Sequence, residues 1–356
     1  MDCTEILRPY LKELNLDEPR KLVEALDICG SVLGKWGIRS LSAYRLRRYM
    51  SKRSRQSAYF SFEIPKKSGG TRHICAPVDE LKHIQQSLNL MLQTLCVPSL
   101  EATGFLPERS ILTNAEIHLG QRVVFNCDLK NFFPCITKGM VRCALTRELQ
   151  TYTASRDVIN IICNLVTVQR EDGVEALPQG APTSPVISNL VLKSLDSRLS
   201  RFAWMHGLQY SRYADDITFS HSHVWNTMLP ENIETIFRMI EDEGFKVNPR
   251  KTRVFTCNDR HEITGLTVSN KVNVPRKYVK QLRTLLHLWE SLGLEQAQEI
   301  YTRDFCQGVE ADFVSVVNGK INYLCMVKGR EDSTYRRFKS RFRSLTKAFK
   351  TNEKNQ

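Results

Sequence analysis

The sequence predicts an α+β fold, in which short strands that double back through tight turns alternate with long helices. Two β-prone runs meet at Tyr213-Ala214-Asp215-Asp216, as the strands of a hairpin do. The apolar run at 123–128 is typical of a buried strand that ends in an acid. Apolar residues recur at helical spacing from 184 to about 203, and the chain from Arg276 onward has a helical pattern.

The N-terminal part is expected to contain helices followed by a first hairpin. The first 55 residues have a helical pattern. Residues 59–64 alternate as a strand does, 66–72 form a turn, and 73–77 return as a second strand. A helix is expected over 78–96.

The remaining helices are expected after Pro134, from Ser184 onward and near 231–243. Pro185 lies in the first turn of its helix, where the missing N–H costs nothing. The sequence shows neither an internal repeat nor a low-complexity linker.

Composition favours a folded protein with a polyanionic partner. Among 356 residues, Lys and Arg number 51 and Asp and Glu 38, a net charge of +13. Such an excess favours phosphate contacts, although an inert basic surface is the alternative. Eleven cysteines without CxxC pairs argue against a zinc site, and their odd number without a signal peptide favours the cytoplasm. No apolar run approaches the roughly 20 residues of a membrane span.

The predicted N-terminal helices end in a basic cluster. Its members are Arg45, Arg47, Arg48, Lys52, Arg53 and Arg55. They are interpreted as a nucleic-acid contact, with a solvated helix end as the alternative.

The adjacent carboxylates of Asp215 and Asp216 indicate a metal site. Like charges this close repel, and a divalent cation with a preference for oxygen ligands removes that cost. Two-metal phosphoryl transfer needs a further acid from another segment. Asp128, at the end of its strand, is the candidate, although an isolated Asp there is more often a cap or turn residue.

A Pro- and Gly-rich loop, 177–185, separates the two acidic segments. Gly180 permits close approach of the backbone, and the helix that follows favours anions at its start. An ordinary loop before a helix is the alternative. The order of the segments carries the information: a strand ending in an acid, this loop with its helix, then the hairpin.

This order resembles the palm of the reverse transcriptases, over about residues 58–290. The resemblance implies a right-hand polymerase fold, with fingers, a palm of antiparallel sheet and helices, and a helical thumb. The expected boundaries are a helical basic segment over 1–57, fingers over 58–122, a palm over 123–270 that includes part of the fingers at about 140–175, and an RNA-binding thumb over 271–356.

The resemblance also implies the catalytic residues. Asp128 and Asp215 are expected to bind two Mg²⁺ ions, with Asp216 as supporting acid and the backbone carbonyl of Leu129 as a further ligand. Lys251 resembles the palm lysine that protonates or electrostatically stabilises the leaving pyrophosphate.

Nucleotide-binding residues follow from the same resemblance. Arg72 matches the fingers residue that contacts the triphosphate, with Lys66 or Lys67 assisting unless these turn lysines are merely solvated. Gln179 and Gly180 are expected near the incoming nucleotide.

Phe133 lies five residues after the first acid, where such enzymes carry an aromatic ring beneath the incoming sugar. A bulky ring there excludes a 2′-hydroxyl, so deoxynucleotides are the expected substrate and an RNA-dependent RNA polymerase is disfavoured. Phe132 is expected in the core.

Two segments narrow the resemblance to bacterial retron reverse transcriptases. Asn114-Ala115-Glu116-Ile117-His118 matches their Asn-Ala-x-x-His signature, although His118 could equally be a buried core histidine. Ile263-Thr264-Gly265 stands where they usually carry Val-Thr-Gly, a mild departure.

A retron enzyme implies further partners and a particular product. It binds a structured noncoding RNA of the msr–msd type, primes from an RNA 2′-hydroxyl, and makes the RNA–DNA hybrid called multicopy single-stranded DNA. Such systems commonly act in anti-phage defence with a separate effector protein. The alternatives are another bacterial defence reverse transcriptase with protein priming or untemplated synthesis, and an RNA-binding scaffold without catalysis.

The C-terminal segment is expected to bind RNA. Basic residues there alternate with aromatic ones at helical spacing: Arg336, Arg337, Lys339, Arg341, Arg343, Lys347 and Lys350. Arg276 and Lys277 are expected to contribute, whereas Tyr278, Leu282, Leu285, Leu286 and Trp289 are interpreted as thumb core. An amphipathic helix with a solvated basic face is the alternative for the basic residues.

Overall fold

The computed structural model describes residues 3–34, 41, 43–66, 69–223, 230–306 and 311–354. Lys67 lies outside these ranges. The chain forms two compact units. Unit 1 comprises Met1–Glu108, Phe125–Phe219 and Asn226–Arg253, and unit 2 comprises Arg109–Val124, Ser220–Trp225 and Val254–Gln356.

The first 176 residues contain nine of the described helices and five of the described strands. In chain order they are α1 (Cys3–Glu13), α2 (Pro19–Val32), α3 (Ala43–Arg48), α4 (Lys52–Gln56), β1 (Tyr59–Pro65), β2 (Thr71–Pro77), α5 (Asp79–Leu95), α6 (Ile111–Glu116), β3 (Val123–Asp128), α7 (Phe132–Cys135), α8 (Lys138–Leu149), α9 (Arg156–Val166), β4 (Val168–Gln169) and β5 (Glu175–Ala176).

The rest of the described chain begins with a long helix and ends in three others. In order the elements are α10 (Ser184–Met205), β6 (Gln209–Tyr213), β7 (Asp216–His221), α11 (Pro230–Asp242), a 3₁₀ turn (Pro249–Lys251), β8 (Arg253–Phe255), β9 (His261–Ile263), β10 (Leu266–Val268), β11 (Val272–Asn273), α12 (Arg276–Ile300), a π-helical turn (Tyr301–Phe305), α13 (Phe313–Lys328) and α14 (Ser333–Lys354). The predicted α+β class is confirmed.

The central sheet has the strand order β6–β7–β3–β8. At one end of the β3–β7 pair, the N–H of Arg122 donates to the carbonyl of His221 at 2.9 Å. At the other end, the N–H of Leu129 donates to the carbonyl of Asp215 at 3.0 Å. Residue numbers rise along β3 while they fall along β7, so the two strands are antiparallel. The acid that ends β3 is thereby brought to the turn between β6 and β7.

The first hairpin pairs β1 with β2 in antiparallel register, from Tyr59 opposite Pro77 to Pro65 opposite Thr71. Gly69 and Gly70 both have positive φ, at 86° and 77°, which lets the connecting turn close without a Cβ clash. Ile64 faces Arg72 across the hairpin.

The core of unit 1 is built on α10 and the sheet. Leu195, Leu199 and Ile217 are fully buried, and the rings of Phe125 and Phe219 lie 6.3 Å apart at their centroids. These apolar positions on α10 recur at three to four residues, as the sequence predicted. The core fixes the sheet on which the acidic residues stand.

Unit 2 has a separate core, formed by its long helices. The predicted thumb-core residues Leu282, Leu285, Leu286 and Trp289 are buried there, and Tyr278 is half-buried. The Trp289 ring lies 5.7 Å from that of Phe342 on α14, edge to face. The prediction that these side chains pack in the core, rather than form a stacking platform, is confirmed.

The two segments that narrowed the resemblance pack together within unit 2. The hydroxyl of Thr264 donates to the carbonyl of Ile111 at 3.3 Å, and Ala115 and Ile263 belong to the same buried cluster. Thr264 and Gly265 have positive φ, at 47° and 78°, and form the two-residue turn between β9 and β10. These two marker segments therefore pack against each other in the folded chain, although they are far apart in the sequence.

His118 is a buried and hydrogen-bonded side chain. Its Nδ1 lies 2.6 Å from the Ser220 hydroxyl, and burial lowers the pKa of the imidazole to about 3. The interpretation of His118 as a core histidine is confirmed. Among the described residues, no helix is both long and apolar enough to cross a membrane.

The buried imidazole predicts how stability depends on pH. Since the ordinary pKa is 6.5 and the folded value about 3, only the unfolded chain binds the proton between these values. The free energy of unfolding should therefore fall below pH 6.5, by up to about 1.4 kcal/mol per pH unit. Denaturant unfolding of wild type and His118→Gln at several pH values checks this.

The His118→Gln protein should show a shallower loss of stability between pH 6.5 and 4.5. His287→Gln, which changes an exposed histidine of α12, serves as the control and should follow wild type. Equal slopes for wild type and His118→Gln would contradict the assignment.

Candidate active site

The central feature of unit 1 is the tight turn between β6 and β7. Ala214 adopts a left-handed backbone, with φ of 56°, and places Asp215 at the tip and Asp216 at the start of β7. The backbone hydrogen bond between Leu129 and Asp215 joins this turn to the end of β3. The structure therefore brings Asp128, Asp215 and Asp216 together, as the sequence predicted.

Asp128 is buried, and Lys251 and Asn248 are among the polar partners of its carboxylate. The ammonium of Lys251 lies 2.6 Å from its Oδ2, and the Asn248 amide donates to its Oδ1 at 3.3 Å. The backbone N–H of Asn248 also donates to the Asp128 carbonyl at 2.8 Å. The 3₁₀ turn that carries Lys251 is thus fixed to the acid that it neutralises. Asn248 was not singled out from the sequence.

The three acids repel one another. Burial, and then the charge of Asp128, raise the pKa of Asp215. Burial, followed by the charges of Asp215 and Asp128, raises the pKa of Asp216 to about 7. The cations Lys251 and Arg72 act in the opposite direction on Asp215. Protein cations therefore reduce this repulsion only in part.

The donor chemistry of the acids fits magnesium. Asp128, Asp215 and Asp216 offer the hard oxygen ligands that it prefers, and a bound cation relieves their repulsion. Across the described ranges, no three His, Cys, Asp or Glu side chains are already arranged as a ligand set. In this structure the Lys251 ammonium neutralises Asp128. The Leu129 N–H is used in the sheet, and its carbonyl as a ligand stays a prediction.

The first hairpin presents Arg72 to the acids. Arg72 is exposed on β2, and its charge lowers the pKa of Asp215, against the larger effects of burial and Asp128. Lys66 lies in the turn, where its backbone N–H donates to the Gly70 carbonyl at 2.9 Å and its side chain is exposed. Arg72 is thus a basic group of this hairpin that acts on the acidic turn.

The loop with Gln179 and Gly180 packs on the same hairpin. The N–H of Cys75 donates to the Gln179 carbonyl at 2.8 Å. A Cβ on Gly180 would lie 2.9 Å from Cγ2 of Ile74 and 3.1 Å from the Cys75 carbonyl oxygen, and its φ is 132°. The close approach that the sequence predicted is therefore made to β2. It places the loop beside the strand that carries Arg72.

Phe133 lies on the short helix α7, after Asn131 in a left-handed conformation with φ of 51°. Its ring centroid is 6.1 Å from that of Phe105, which is 6.4 Å from that of Tyr213. This aromatic row connects Phe133 to the acidic turn. Phe132 is buried, as predicted for a core residue. No motif in the sequence pointed to Phe105.

One member of the N-terminal basic cluster is not available to nucleic acid. Arg55 is buried, forms an ion pair with Glu175, and donates to the Met50 carbonyl at 2.9 Å. Arg45 and Arg48 lie 3.7 and 3.6 Å from the carboxylate of Glu80. The interpretation of Arg55 as a nucleic-acid contact is wrong, because a partner 120 residues away neutralises it inside unit 1.

The predicted RNA-binding residues of unit 2 differ in their surroundings. Arg276, Lys277, Arg337, Arg343 and Lys347 are exposed. Two others have acidic partners within unit 2. Arg341 forms a two-pronged ion pair with Glu290, at 2.7 and 2.5 Å, and Arg336 pairs with Glu331. The apolar face of α14 is buried at Phe338 and Phe342, as the spacing predicted.

Comparison with known proteins places the chain among related sequences. Residues 64–285 match the family model of reverse transcriptase (RNA-dependent DNA polymerase). Retron Mx65 reverse transcriptase of Myxococcus xanthus is 38% identical over 253 residues, covering 68% of this chain and 59% of that protein. Retron Mx162 reverse transcriptase, of the same species, is 39% identical over 275 residues, covering 69% and 56%. The chain thus spans less than two thirds of the length of either relative. The predicted resemblance to retron reverse transcriptases is confirmed.

The solved structures that resemble this chain share less of its sequence. Telomerase from Candida albicans, in complex with a fragment of telomeric RNA, is 13% identical with a TM-score of 0.44, covering 81% of this chain and 63% of that one. A foamy viral protease–reverse transcriptase is 16% identical with a TM-score of 0.37, covering 82% and 45%.

The repulsion among the acids predicts a gain in stability from neutralising one of them. The folded pKa of Asp216, about 7, exceeds its ordinary value of 3.8, so this acid costs folding free energy as pH rises through that interval. Without divalent ions at pH 8, Asp216→Asn should raise the free energy of unfolding by about 1–2 kcal/mol. Thermal and denaturant unfolding with EDTA measure the change.

The gain should shrink at pH 5, where wild-type Asp216 is protonated. Mg²⁺ should stabilise wild type more than Asp216→Asn. Glu241→Gln, an exposed acid on α11, is the control and should behave as wild type does. If Asp216→Asn instead lowered the free energy of unfolding at pH 8, repulsion among the acids would not be a cost to folding.

Proposed function

Because the chain belongs to the reverse transcriptase family, we propose that it is an RNA-directed DNA polymerase of the retron type. The observation that carries the proposal is the convergence of Asp128, Asp215 and Asp216 at one turn, with raised pKa values for Asp215 and Asp216. Perturbed acids gathered in this way are typical of catalytic sites. The similarity to retron reverse transcriptases supports the retron assignment.

Asp128 and Asp215 would hold two Mg²⁺ ions, with Asp216 as the supporting acid. When bound, such ions activate the attacking hydroxyl and stabilise the leaving pyrophosphate. The protein contributes the fixed positions of the acids, since β3 and the hairpin are joined through their backbones. Reacting groups held in this way need no further reorganisation.

Lys251 is the proposed source of positive charge for the leaving pyrophosphate. Burial lowers its pKa, but the hydrogen bond and charge of Asp128 outweigh this and raise it, so the amine is protonated at neutral pH. Its side chain is about half exposed, at 56%, and can exchange Asp128 for a phosphate oxygen. A protonated amine there can stabilise the departing charge or donate its proton.

Nucleotide selection is proposed to involve the hairpin and the aromatic row. Arg72, with Lys66, would bind the triphosphate of a deoxynucleotide, and Gln179 and Gly180 would lie beside it. Phe133 would exclude a ribose 2′-hydroxyl. The backbone contact between the Gln179 loop and β2 supports the first part of this arrangement, because it keeps Gln179 and Gly180 beside the strand that carries Arg72.

The RNA partner is proposed to be a structured noncoding RNA of the msr–msd type. Arg276, Lys277, Arg336, Arg337, Arg341, Arg343 and Lys347 would contact its phosphates and sugars. The exposed members of this set and the net charge of +13 support this. The product would be multicopy single-stranded DNA, made from an RNA 2′-hydroxyl, in a cytoplasmic anti-phage system with a separate effector protein.

Replacing Asp215 tests the activity and its priming together. The wild-type protein, expressed with the DNA that flanks its gene, should yield DNA covalently attached to RNA. Asp215→Ala should lower this yield by about a thousandfold or more, because the change removes one of the two acids proposed to hold the metal ions. Gel analysis and sequencing of the co-purified nucleic acid, before and after ribonuclease, measure both quantities.

Asp242→Ala, an exposed acid on α11, is the control and should match wild type. Equal DNA yield from wild type and Asp215→Ala would overturn the polymerase proposal. DNA that carries no attached RNA would favour the alternative, a defence reverse transcriptase that primes differently.

Phe133→Ala should weaken discrimination against ribonucleotides. With the ring removed, the ratio of kcat/KM for deoxynucleotides over ribonucleotides should fall at least about tenfold, or about 1.4 kcal/mol. Single-nucleotide primer extension measures the ratio. Phe132→Leu, which changes the buried neighbour, should lower stability but leave the ratio unchanged. An unchanged ratio in Phe133→Ala would show that another side chain excludes the 2′-hydroxyl.

A further inference from the structure

The turn that carries Asp215 adopts a conformation that its sequence does not favour. Ala214 has φ of 56°, a left-handed backbone that costs a residue with a Cβ roughly 1–2 kcal/mol. Glycine would remove this cost, yet the turn holds alanine. The surrounding structure must therefore impose the conformation.

Arg212 supplies one of the contacts that impose it. Its Nη1 donates to the Ala214 carbonyl at 3.1 Å, two residues along the chain. The side chain is fully buried, with 0% exposure. A guanidinium in such a place needs an acidic partner, since an unpaired buried charge is strongly unfavourable.

Asp196 on α10 is that partner. Nε and Nη2 of Arg212 donate to its two carboxylate oxygens, each at 2.7 Å. Nη1, which reaches Ala214, also donates to the Asn189 Oδ1 at 3.1 Å. Arg212 thus has a fixed orientation, because a planar guanidinium with partners on several nitrogens cannot rotate. The Tyr210 hydroxyl donates to the same carboxylate at 2.8 Å.

The backbone at Gly104 also confines the turn. A Cβ on Gly104 would lie 2.7 Å from the backbone nitrogen of Ala214, closer than side chains are ever found. The Asn189 amide donates to the Gly104 carbonyl at 3.0 Å, and the Thr103 N–H donates to the Arg212 carbonyl at 2.8 Å. Asn189 therefore joins Arg212 and Gly104, both of which contact the turn.

Stability alone does not account for this arrangement. Replacing a buried ion pair with apolar side chains is often neutral or stabilising, because desolvation offsets the attraction. The ion pair of Arg212 and Asp196 instead holds the guanidinium in an orientation in which it donates to the Ala214 carbonyl. Within the described residues, Arg212 makes no hydrogen bond to the carboxylates of Asp215 or Asp216, and its bond to the turn is the one to the Ala214 carbonyl.

We propose that Arg212, oriented by Asp196 and Asn189, is a positioning residue that sets the Ala214 carbonyl and thereby the location of Asp215. The inference rests on the proposed two-metal function, since its consequence is the affinity of the acids for divalent ions. The sequence did not identify Arg212, because its role depends on Asp196 and Asn189, which only the folded chain brings beside it.

Arg212→Lys tests the proposal with a conservative change. Lysine keeps the charge beside Asp196 but cannot reach the carboxylate and the Ala214 carbonyl together. Binding of Mn²⁺, followed by electron paramagnetic resonance without substrate, should weaken at least tenfold. In primer extension kcat should fall at least tenfold with little change in the KM for deoxynucleotides, and high Mn²⁺ should restore part of it.

Arg55→Lys is the matched control. Arg55 is also a buried arginine that joins a carboxylate to backbone carbonyls, but its carbonyl partners belong to Tyr49 and Met50. The Arg55→Lys change should lower stability as Arg212→Lys does, but it should leave the affinity for Mn²⁺ near that of wild type. Gly104→Ala gives an independent test without altering the ion pair, since the added methyl displaces the same turn. It should weaken Mn²⁺ binding too.

Loss of stability with unchanged Mn²⁺ affinity and kcat in Arg212→Lys and Gly104→Ala would overturn the proposal. An equal loss of Mn²⁺ affinity in Arg55→Lys would overturn it as well, because any buried defect would then suffice. If wild type itself binds no Mn²⁺ and makes no DNA, the proposed function fails first. The wild-type measurement therefore separates the two failures.

Discussion

The rest of unit 1 depends on one constraint. Three carboxylates are held near one another in a partly buried site. Their mutual repulsion raises the pKa of Asp215 and Asp216, after the larger effect of burial. Several groups reduce this repulsion or hold the acids in place against it. Lys251 pairs with Asp128, Arg72 faces Asp215 from the first hairpin, and backbone hydrogen bonds join β3, the hairpin and the segment at Asn248. A site built in this way is costly when empty of cations and becomes favourable when they bind.

The sequence was sufficient to predict the hairpin, the acidic strand end and most helices, because these depend on local periodicity and on turn chemistry. The aromatic spacing of α14 likewise predicted the face of this helix that is buried at Phe338 and Phe342. In each case the pattern that predicts the element lies within a short stretch of sequence, and the tertiary packing is consistent with that local preference.

What could not be predicted depends on partners that are far apart in the chain. Arg55 has the surroundings of a surface residue in the sequence, but Glu175 neutralises it inside unit 1. Phe105 and Gly104 belong to no motif, yet they pack against Phe133 and Ala214. Gly180 was correctly expected to permit a close approach, but the neighbour is β2 and only the folded chain reveals it.

The contact between Cys75 and Gln179 has a consequence for how this chain can vary. The link is made from main chain to main chain, so the side chains at both positions can drift in evolution without breaking it. Position 180 lacks this freedom, because any Cβ there would collide with Ile74 and the Cys75 carbonyl. Substitution at a single glycine could thus separate two surfaces that many changes at their contacting residues would leave joined.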